Sequence, residues 1–293
     1  MNKEEVIKIL EKNGFSCFVP LDIRSCFDIA ARKGHQLLLI KTISNIDSIR
    51  EDQANELKAL ACALGGSAII LGERSKTYEL LDGVVYERYE IPVLNLRTFA
   101  GSVSQKSLPL KRFFKGKFIA ELDKPTFSRK LGEVNVTDLA KKIGVSRRTL
   151  YQYRDGLGVE FSKAKKLEEL LNTSLIKPVY VFSQLAPPPQ SVLDDYLQKL
   201  QELGFQVTPV RRGFDAVASE RESLVIDAEQ EERLAKCKAN FMSKLGEFFE
   251  SEPLFVIDKP SKKQVDGIPV VSKKEIKESE SAGEVLDKMK ERK

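Results

Sequence analysis

Apolar positions recur at three- and four-residue steps in VIKILEKNGF, residues 6–15, and again in LDDYLQKLQELGF, residues 193–205. That period predicts an amphipathic helix in each place, with Gly14 and Gly204 where a helix C-terminus needs a left-handed residue. Beyond each helix the pattern continues in step. FDIAA (27–31) is matched by FDAVA (214–218), and the apolar run QLLLIKT (36–42) by SLVIDA (223–228). A second helical pattern follows at 47–66 and at 230–249, then SAIILGE (67–73) against PLFVIDK (253–259). Ile-Pro-Val closes both, at 91–93 and 268–270. Unbroken apolar strands alternating with helices predict an α/β sheet covered by helices. Shared order, spacing and identities predict that the last part of the chain duplicates the first.

Between these flanks the period is helical and the helices are short. In TDLAKKI (137–143), Leu139, Ala140 and Ile143 share one face, with Lys141 and Lys142 outside. Gly144 suits a turn with positive φ, Val145 fills the space between two helices, and Ser146 suits an N-cap. In the next helix Leu150 and Tyr153 point inward, which leaves Arg147, Arg148, Thr149 and Gln152 on the outer face and near the N-terminal end. Gly156 stops this helix, and FSKAKKLEELLN (161–172) predicts another, with Phe161, Ala164, Leu167, Leu170 and Leu171 toward the core. Two short helices around a Gly-centred turn form a helix-turn-helix unit. Its second helix presents arginine, which can fork onto guanine, and glutamine, which can bind adenine in a bidentate manner. Ser146 and the helix N-terminus suit a phosphate.

These patterns divide the chain into residues 1–101, 118–180 and 190–277, with a charged tail at 278–293. Residues 101–117 read as a linker, polar and then basic, and APPPQS (186–191) as a stiff proline hinge. The tail reads as a helix with frayed, solvated ends.

Charge sharpens the picture. The whole chain of 293 residues carries a net +5, but residues 103–180 alone hold 17 Lys+Arg and 8 Asp+Glu. A basic middle between acidic flanks predicts a polyanion at the middle. The chain is 42% hydrophobic, with no apolar run near the ~18 residues of a membrane span. The N-terminus lacks the apolar stretch of a signal peptide, so the expected location is the cytoplasm, with no membrane partner. Four cysteines, Cys17, Cys26, Cys62 and Cys237, show no CxxC spacing, and His35 is the sole histidine. A Cys/His zinc site and a histidine-based catalyst therefore lack material, and the cysteines read as buried thiols. No cofactor and no metal are expected.

Each flank resembles the restriction-endonuclease-like fold of the PD-(D/E)xK superfamily. That family's pattern is a helix ending in Gly and an apolar residue, an Asp at a strand end, then a strand carrying acid-x-Lys. Its chemistry uses two carboxylates to hold Mg²⁺ and a lysine near the attacking water. Asp28 and Lys41 fit the first and last positions, but Leu39 stands at the acid position. In the last part Asp215 fits the first position, Val225 stands at the acid position and Asp227 at the lysine position. Glu56, on the following helix, is the nearest substitute carboxylate. The pattern is degenerate, and the expectation is a fold without enzymatic activity.

LAKKIGVSRRTLYQYRDG (139–156) resembles the Cro/repressor-type helix-turn-helix family. The resemblance implies base contacts from Arg147, Arg148 and Gln152, a base edge or methyl for Thr149, and a phosphate for Ser146. Arg154 stands where that family has an acid, and adds a phosphate contact. GKFIAELDKPTFSRKLGE (116–133) resembles the start of that domain, a strand and then its first helix, with Pro125-Thr126-Phe127 as an interruption. The whole chain resembles a family of archaeal HTH-type transcriptional regulators.

The expected protein is thus multidomain, with two α/β restriction-endonuclease-like domains flanking an all-α Cro/repressor-type helix-turn-helix domain. Its expected function is sequence-selective regulation of transcription on double-stranded DNA as a homodimer, with the transcription machinery as a further partner. Two other readings stay open: a Mg²⁺-dependent structure-specific nuclease, and a scaffold or sensor with vestigial DNA binding.

Overall fold

The computed structural model describes residues 2–21, 23–189 and 192–293. The first flank contains α1 (Lys3–Lys12), β1 (Ser16–Phe18), β2 (Ile29–Lys33), β3 (Gln36–Thr42), α2 (Glu51–Ala63), β4 (Ser67–Leu71), β5 (Val84–Arg88), β6 (Ile91–Leu94) and α3 (Leu96–Val103). The middle contains β7 (Lys111–Phe114), β8 (Lys117–Leu122), α4 (Lys124–Gly132), α5 (Val136–Ile143), α6 (Arg147–Asp155), β9 (Val159–Glu160), α7 (Phe161–Leu171) and β10 (Ile176–Lys177). The last flank contains α8 (Asp195–Glu202), β11 (Gln206–Pro209), β12 (Ala216–Ser219), β13 (Ser223–Glu229), α9 (Glu232–Phe249), β14 (Glu252–Ile257), β15 (Gln264–Val265), β16 (Ile268–Ser272), α10 (Lys273–Glu278) and α11 (Ala282–Lys290).

The elements of the two flanks follow one another in the same order from α1 and α8 onward. Strand directions also agree. β1–β2 and β2–β3 are antiparallel, as are β11–β12 and β12–β13. β4–β6 and β14–β16 are parallel, while β5–β6 and β15–β16 are antiparallel. The Asp28 N–H donates to the Ile40 carbonyl at 2.8 Å, and the Asp215 N–H to that of Ile226 at 2.9 Å, so both aspartates hold the same register. Gly14 (φ +82°) and Gly204 (φ +108°) follow α1 and α8 in the left-handed conformation, which a side chain would strain.

Chain contacts group the residues into two compact units. One is drawn from residues 2–13, 42–49 and 69–183, the other from 14–41, 50–68 and 184–293, so the first flank contributes to both. In the first unit β5 pairs in parallel with β7, β7 forms a hairpin with β8, and β8 also carries β9 and β10. In the second, β11 to β14 continue through β16 to β15, and α8, α10 and α11 bury their apolar faces on this sheet.

Three expectations need correction. Residues 101–117 are not a linker, because Val84↔Lys111 and Val85↔Arg112 pair and the Phe113 ring packs at a tilt among Tyr78, Tyr86 and Phe118 at centroid distances of 5.2–5.5 Å. The middle is not all-α, since its helices enclose a core closed on one side by β8, β9 and β10. The tail is not solvated: Ala282, Val285, Leu286 and Met289 lie at helical spacing and are buried. Its end is held by Arg292, which donates to the Glu275 carboxylate and, at 2.7 Å, to the Val270 carbonyl. Of the proline hinge, Ala186–Pro189 are described, whereas Gln190 and Ser191 lie outside the described residues. Cys26 is buried as expected, but Cys237 is exposed. Among the described residues no helix is long and apolar enough to cross a membrane.

Candidate nucleic-acid interface

The basic middle builds its outer face by fixing the ends of α5 and α6. The Asn135 side chain caps α5, accepting from the N–H groups of Thr137 (2.9 Å) and Asp138 (3.2 Å). Gly144 ends α5 at φ +73°, and the Gly144 and Val145 N–H groups both donate to the Ala140 carbonyl at 3.0 Å. A residue with a Cβ would be strained at that φ. Ser146 then caps α6. Its Oγ accepts from the Thr149 N–H at 3.0 Å and lies 2.9 Å from the Thr149 hydroxyl. Gly156 (φ +111°) closes α6, with the Leu157 N–H donating to the Gln152 carbonyl at 2.8 Å.

Below α6, Leu150 and Tyr153 are buried with Leu139, Ala140, Ile143, Ala164 and Leu167. Val145 packs against this cluster from its edge, as does Phe161. Leu170 departs from expectation and is 39% exposed. Pro125 does not interrupt α4. It sits in the first turn, where a missing N–H costs nothing, behind an Asp123 cap on the Thr126 N–H. The hydrogen bonds from Thr126 hold the Asp123 carboxyl down at about 2. Glu168, on α7, accepts from the N–H groups of Leu175 and Ile176 at 2.8 and 2.9 Å and so fixes β10.

On the outer face Arg147, Arg148 and Gln152 are exposed, and Thr149 is half-buried by its contact with Ser146. Among the described residues none of the three is covered by another part of the chain. Arg154 lies 2.9 Å from Asp155 and stacks over the Tyr151 ring at 5.1 Å, so its guanidinium is already oriented. The structure thus brings Ser146, Arg147, Arg148, Thr149, Gln152 and Arg154 onto a single capped helix and its N-terminus.

The carboxylate positions of the flanks behave differently. Holding Mg²⁺ takes oxygen ligands, carboxylates among them, converging on one point. Leu39 and Val225, at the two acid positions, are fully buried among apolar residues. Asp28 lies 3.4 Å from the Lys41 ammonium. Glu56 faces the chain's own cations, accepting from the Arg211 N–H at 2.6 Å and the Arg212 guanidinium at 2.8 Å. Burial nevertheless pushes the Glu56 carboxyl up, and burial, with Glu56 nearby, pushes the Cys26 thiol up to about 12. In the last flank the Lys238 ammonium sits 2.9 Å from Asp227 and 2.7 Å from Glu229. Asp215 accepts from the Ala228 N–H. Asp227 Oδ2 and the Tyr196 hydroxyl are buried without a hydrogen-bond partner among the described residues. Burial drives the Asp227 carboxyl up to about 7 against the pull of Lys238. At both places a lysine or arginine of the chain already pairs with the acids, and an apolar residue stands at each acid position, so these donor sets do not fit a divalent cation. Among the described residues no group of three or more Cys, His, Asp and Glu is placed to hold a metal.

Arg212, Lys238 and Tyr196 were not singled out from sequence. Lys238 left a readable trace: it lies on the same face of α9 as Ala235, Ala239 and Met242, a lysine inside an apolar stripe. Arg212 left none, because its partner Glu56 is 156 residues away.

A family model described as a PD-(D/E)XK superfamily domain matches residues 2–109. Over nearly the whole length the chain is similar to a protein of Archaeoglobus fulgidus named "Putative HTH-type transcriptional regulatory protein". The two are 33% identical over 299 residues, which span 99% of this chain and 97% of the relative. The chain belongs to that family. A member from Methanothermobacter thermautotrophicus, named in the same words, is 35% identical over 99% of this chain and 95% of its own. Another, from Methanocella arvoryzae, is 30% identical over 97% of this chain and 94% of its own. No solved structure matches the chain. The PD-(D/E)XK match agrees with the mixed α/β sheet of the first flank, and the relatives span the flanks and the middle together.

Proposed function

We propose that this protein is a sequence-selective regulator of transcription that binds double-stranded DNA through α6. The observation that carries the reading is a helix fixed at both ends, with its apolar side buried and its arginines and glutamine uncovered. Arg147 and Arg148 fork onto base edges, Gln152 pairs with adenine, and Thr149 meets a base edge or methyl. Ser146 and Arg154 contact phosphates. Such a unit reads few base pairs alone, so the protein acts as a homodimer, in the cytoplasm and beside the transcription machinery. The flanks are a duplicated restriction-endonuclease-like fold whose acid positions have become apolar, and they serve as scaffold rather than nuclease. The names of the relatives support the regulatory reading.

Selection of bound fragments from random duplex DNA tests it. A preferred site should emerge, and Arg147→Ala or Arg148→Ala should each weaken binding there by about 1–3 kcal/mol. Binding without preference among sequences would leave only the scaffold reading. Cleavage in Mg²⁺ or Mn²⁺ that Asp28→Ala abolishes would overturn the non-enzymatic part.

A further inference from the structure

The segment KRFFKGK, residues 111–117, holds four cations and no acid in seven positions. It folds as the β7–β8 hairpin, with Phe114 facing Lys117 across a two-residue turn. The turn residues Lys115 (φ +48°) and Gly116 (φ +78°) both take positive φ, which suits the twist of a tight hairpin. Two of the cations are engaged. The Lys111 ammonium sits over the Phe118 and Phe161 rings at 5.1 and 5.0 Å, and Arg112 lies 3.7 Å from Glu121. The tip differs. Phe114 is 58% exposed, Lys115 and Lys117 are exposed, and the Lys115 ammonium stands 5.1 Å over the Phe114 ring.

This hairpin is built into the body that carries α6. β8 pairs with β9, the strand that directly follows α6, through Ile119↔Glu160 and Ala120↔Val159. A Cβ on Gly158 would come within 2.4 Å of Ile119, so the loop after α6 is pressed against β8. Ala120 and Leu122 share the core cluster of Leu150 and Tyr153. Chain length from Asp155 through β9 and back along β8 keeps the tip within roughly 30 Å of the end of α6. That is less than one turn of duplex DNA, about 34 Å.

We infer that the hairpin tip is a second DNA contact, seated on the sugar-phosphate backbone beside the site that α6 reads. Lys115 and Lys117 neutralise phosphates, and the Phe114 ring packs on deoxyribose. The contact is blind to sequence: it supplies affinity and orientation, while α6 supplies selectivity. Charge complementarity selects the partner, since the tip offers ammonium groups and no carboxylate. The inference rests on the DNA-binding reading proposed above.

The test uses the full chain on its selected duplex and measures log Kd against log salt. The Lys115→Gln/Lys117→Gln double variant should lower the slope by about 2 and weaken binding on the order of tenfold at 0.1 M salt. Its preference among sequences should stay unchanged. Lys115→Arg/Lys117→Arg should restore the slope, which separates charge from folding, and Phe114→Ala should weaken binding a few-fold at every sequence. Unchanged affinity and slope in the double variant, with Arg148→Ala still weakening binding, would overturn the hairpin contact and leave the α6 reading intact. Failure of the wild-type chain to bind DNA would overturn both. A change in sedimentation of the DNA-free protein on Phe114→Ala, without an effect on DNA binding, would assign the tip to self-association and overturn the inference.

Discussion

Asp227 is a buried acid with more negative neighbours than positive ones. Lys238 faces it from α9 at 2.9 Å, while Asp215 and Glu229 add negative charge from the same sheet. Burial, with Asp215 and Glu229 adding negative charge around one shared ammonium, pushes the Asp227 carboxyl up to about 7. Because the folded value lies above the unfolded one, near 3.8, the linked contribution to stability is full below about pH 4 and falls as pH rises to about 7. Asp227→Asn should flatten that decline in a series of thermal melts between pH 4 and 8, and should leave the acid limb below pH 4 in place. That limb has another source, since the hydrogen bond from Arg292 holds the Glu275 carboxyl down at about 2. The glycine and serine around α6 were legible because their roles are local: a positive φ at Gly144 and a cap at Ser146 need only their neighbours in the chain. Asp227 was read from sequence as a displaced motif position. Its proton could not be read, because its burial beside Asp215 and Lys238 arises only once the sheet and α9 pack together.

At the scale of elements, α11 shows how charge can hide a core helix. Its sequence AGEVLDKMK carries as many charged residues as apolar ones, yet Val285, Leu286 and Met289 all enter the core of the last sheet. Leu286→Ala should therefore destabilise the protein by about 2–4 kcal/mol in denaturant melts, the cost of a core cavity rather than of a frayed end. A loss of a few tenths would return the helix to solvent. The β7 strand was missed for another reason. Its partner β5 begins at Val84, and a pairing across some 27 residues leaves no periodic trace in Lys-Arg-Phe-Phe itself. The helices of the middle were legible because their stripes are short-range, from Leu139 and Ile143 to Leu150 and Tyr153.

At the scale of the whole molecule, a basic segment is enclosed between sequences that together carry negative charge. On the proposed reading, that arrangement favours encounter with DNA through the basic segment rather than through the flanks. A single α6 is only about 14 Å long and spans less than half a turn of duplex. On the proposed reading, two copies would give a site long enough to be rare in a genome. Selected sites should show two half-sites one helical turn or a multiple apart, and sedimentation of the complex should give two chains per duplex. A solitary half-site with one chain bound would exclude the dimer.

The compact body formed by residues 14–41, 50–68 and 184–293 takes strands and helices from both sides of the basic segment. Glu56 and Asp52, early in the chain, clasp Arg212 late in it at 2.8 and 3.2 Å. The basic segment, residues 103–180, thus lies along the chain between two parts of this one body. A protease nick within it would yield fragments that still travel together through a sizing column, joined without any peptide bond between them.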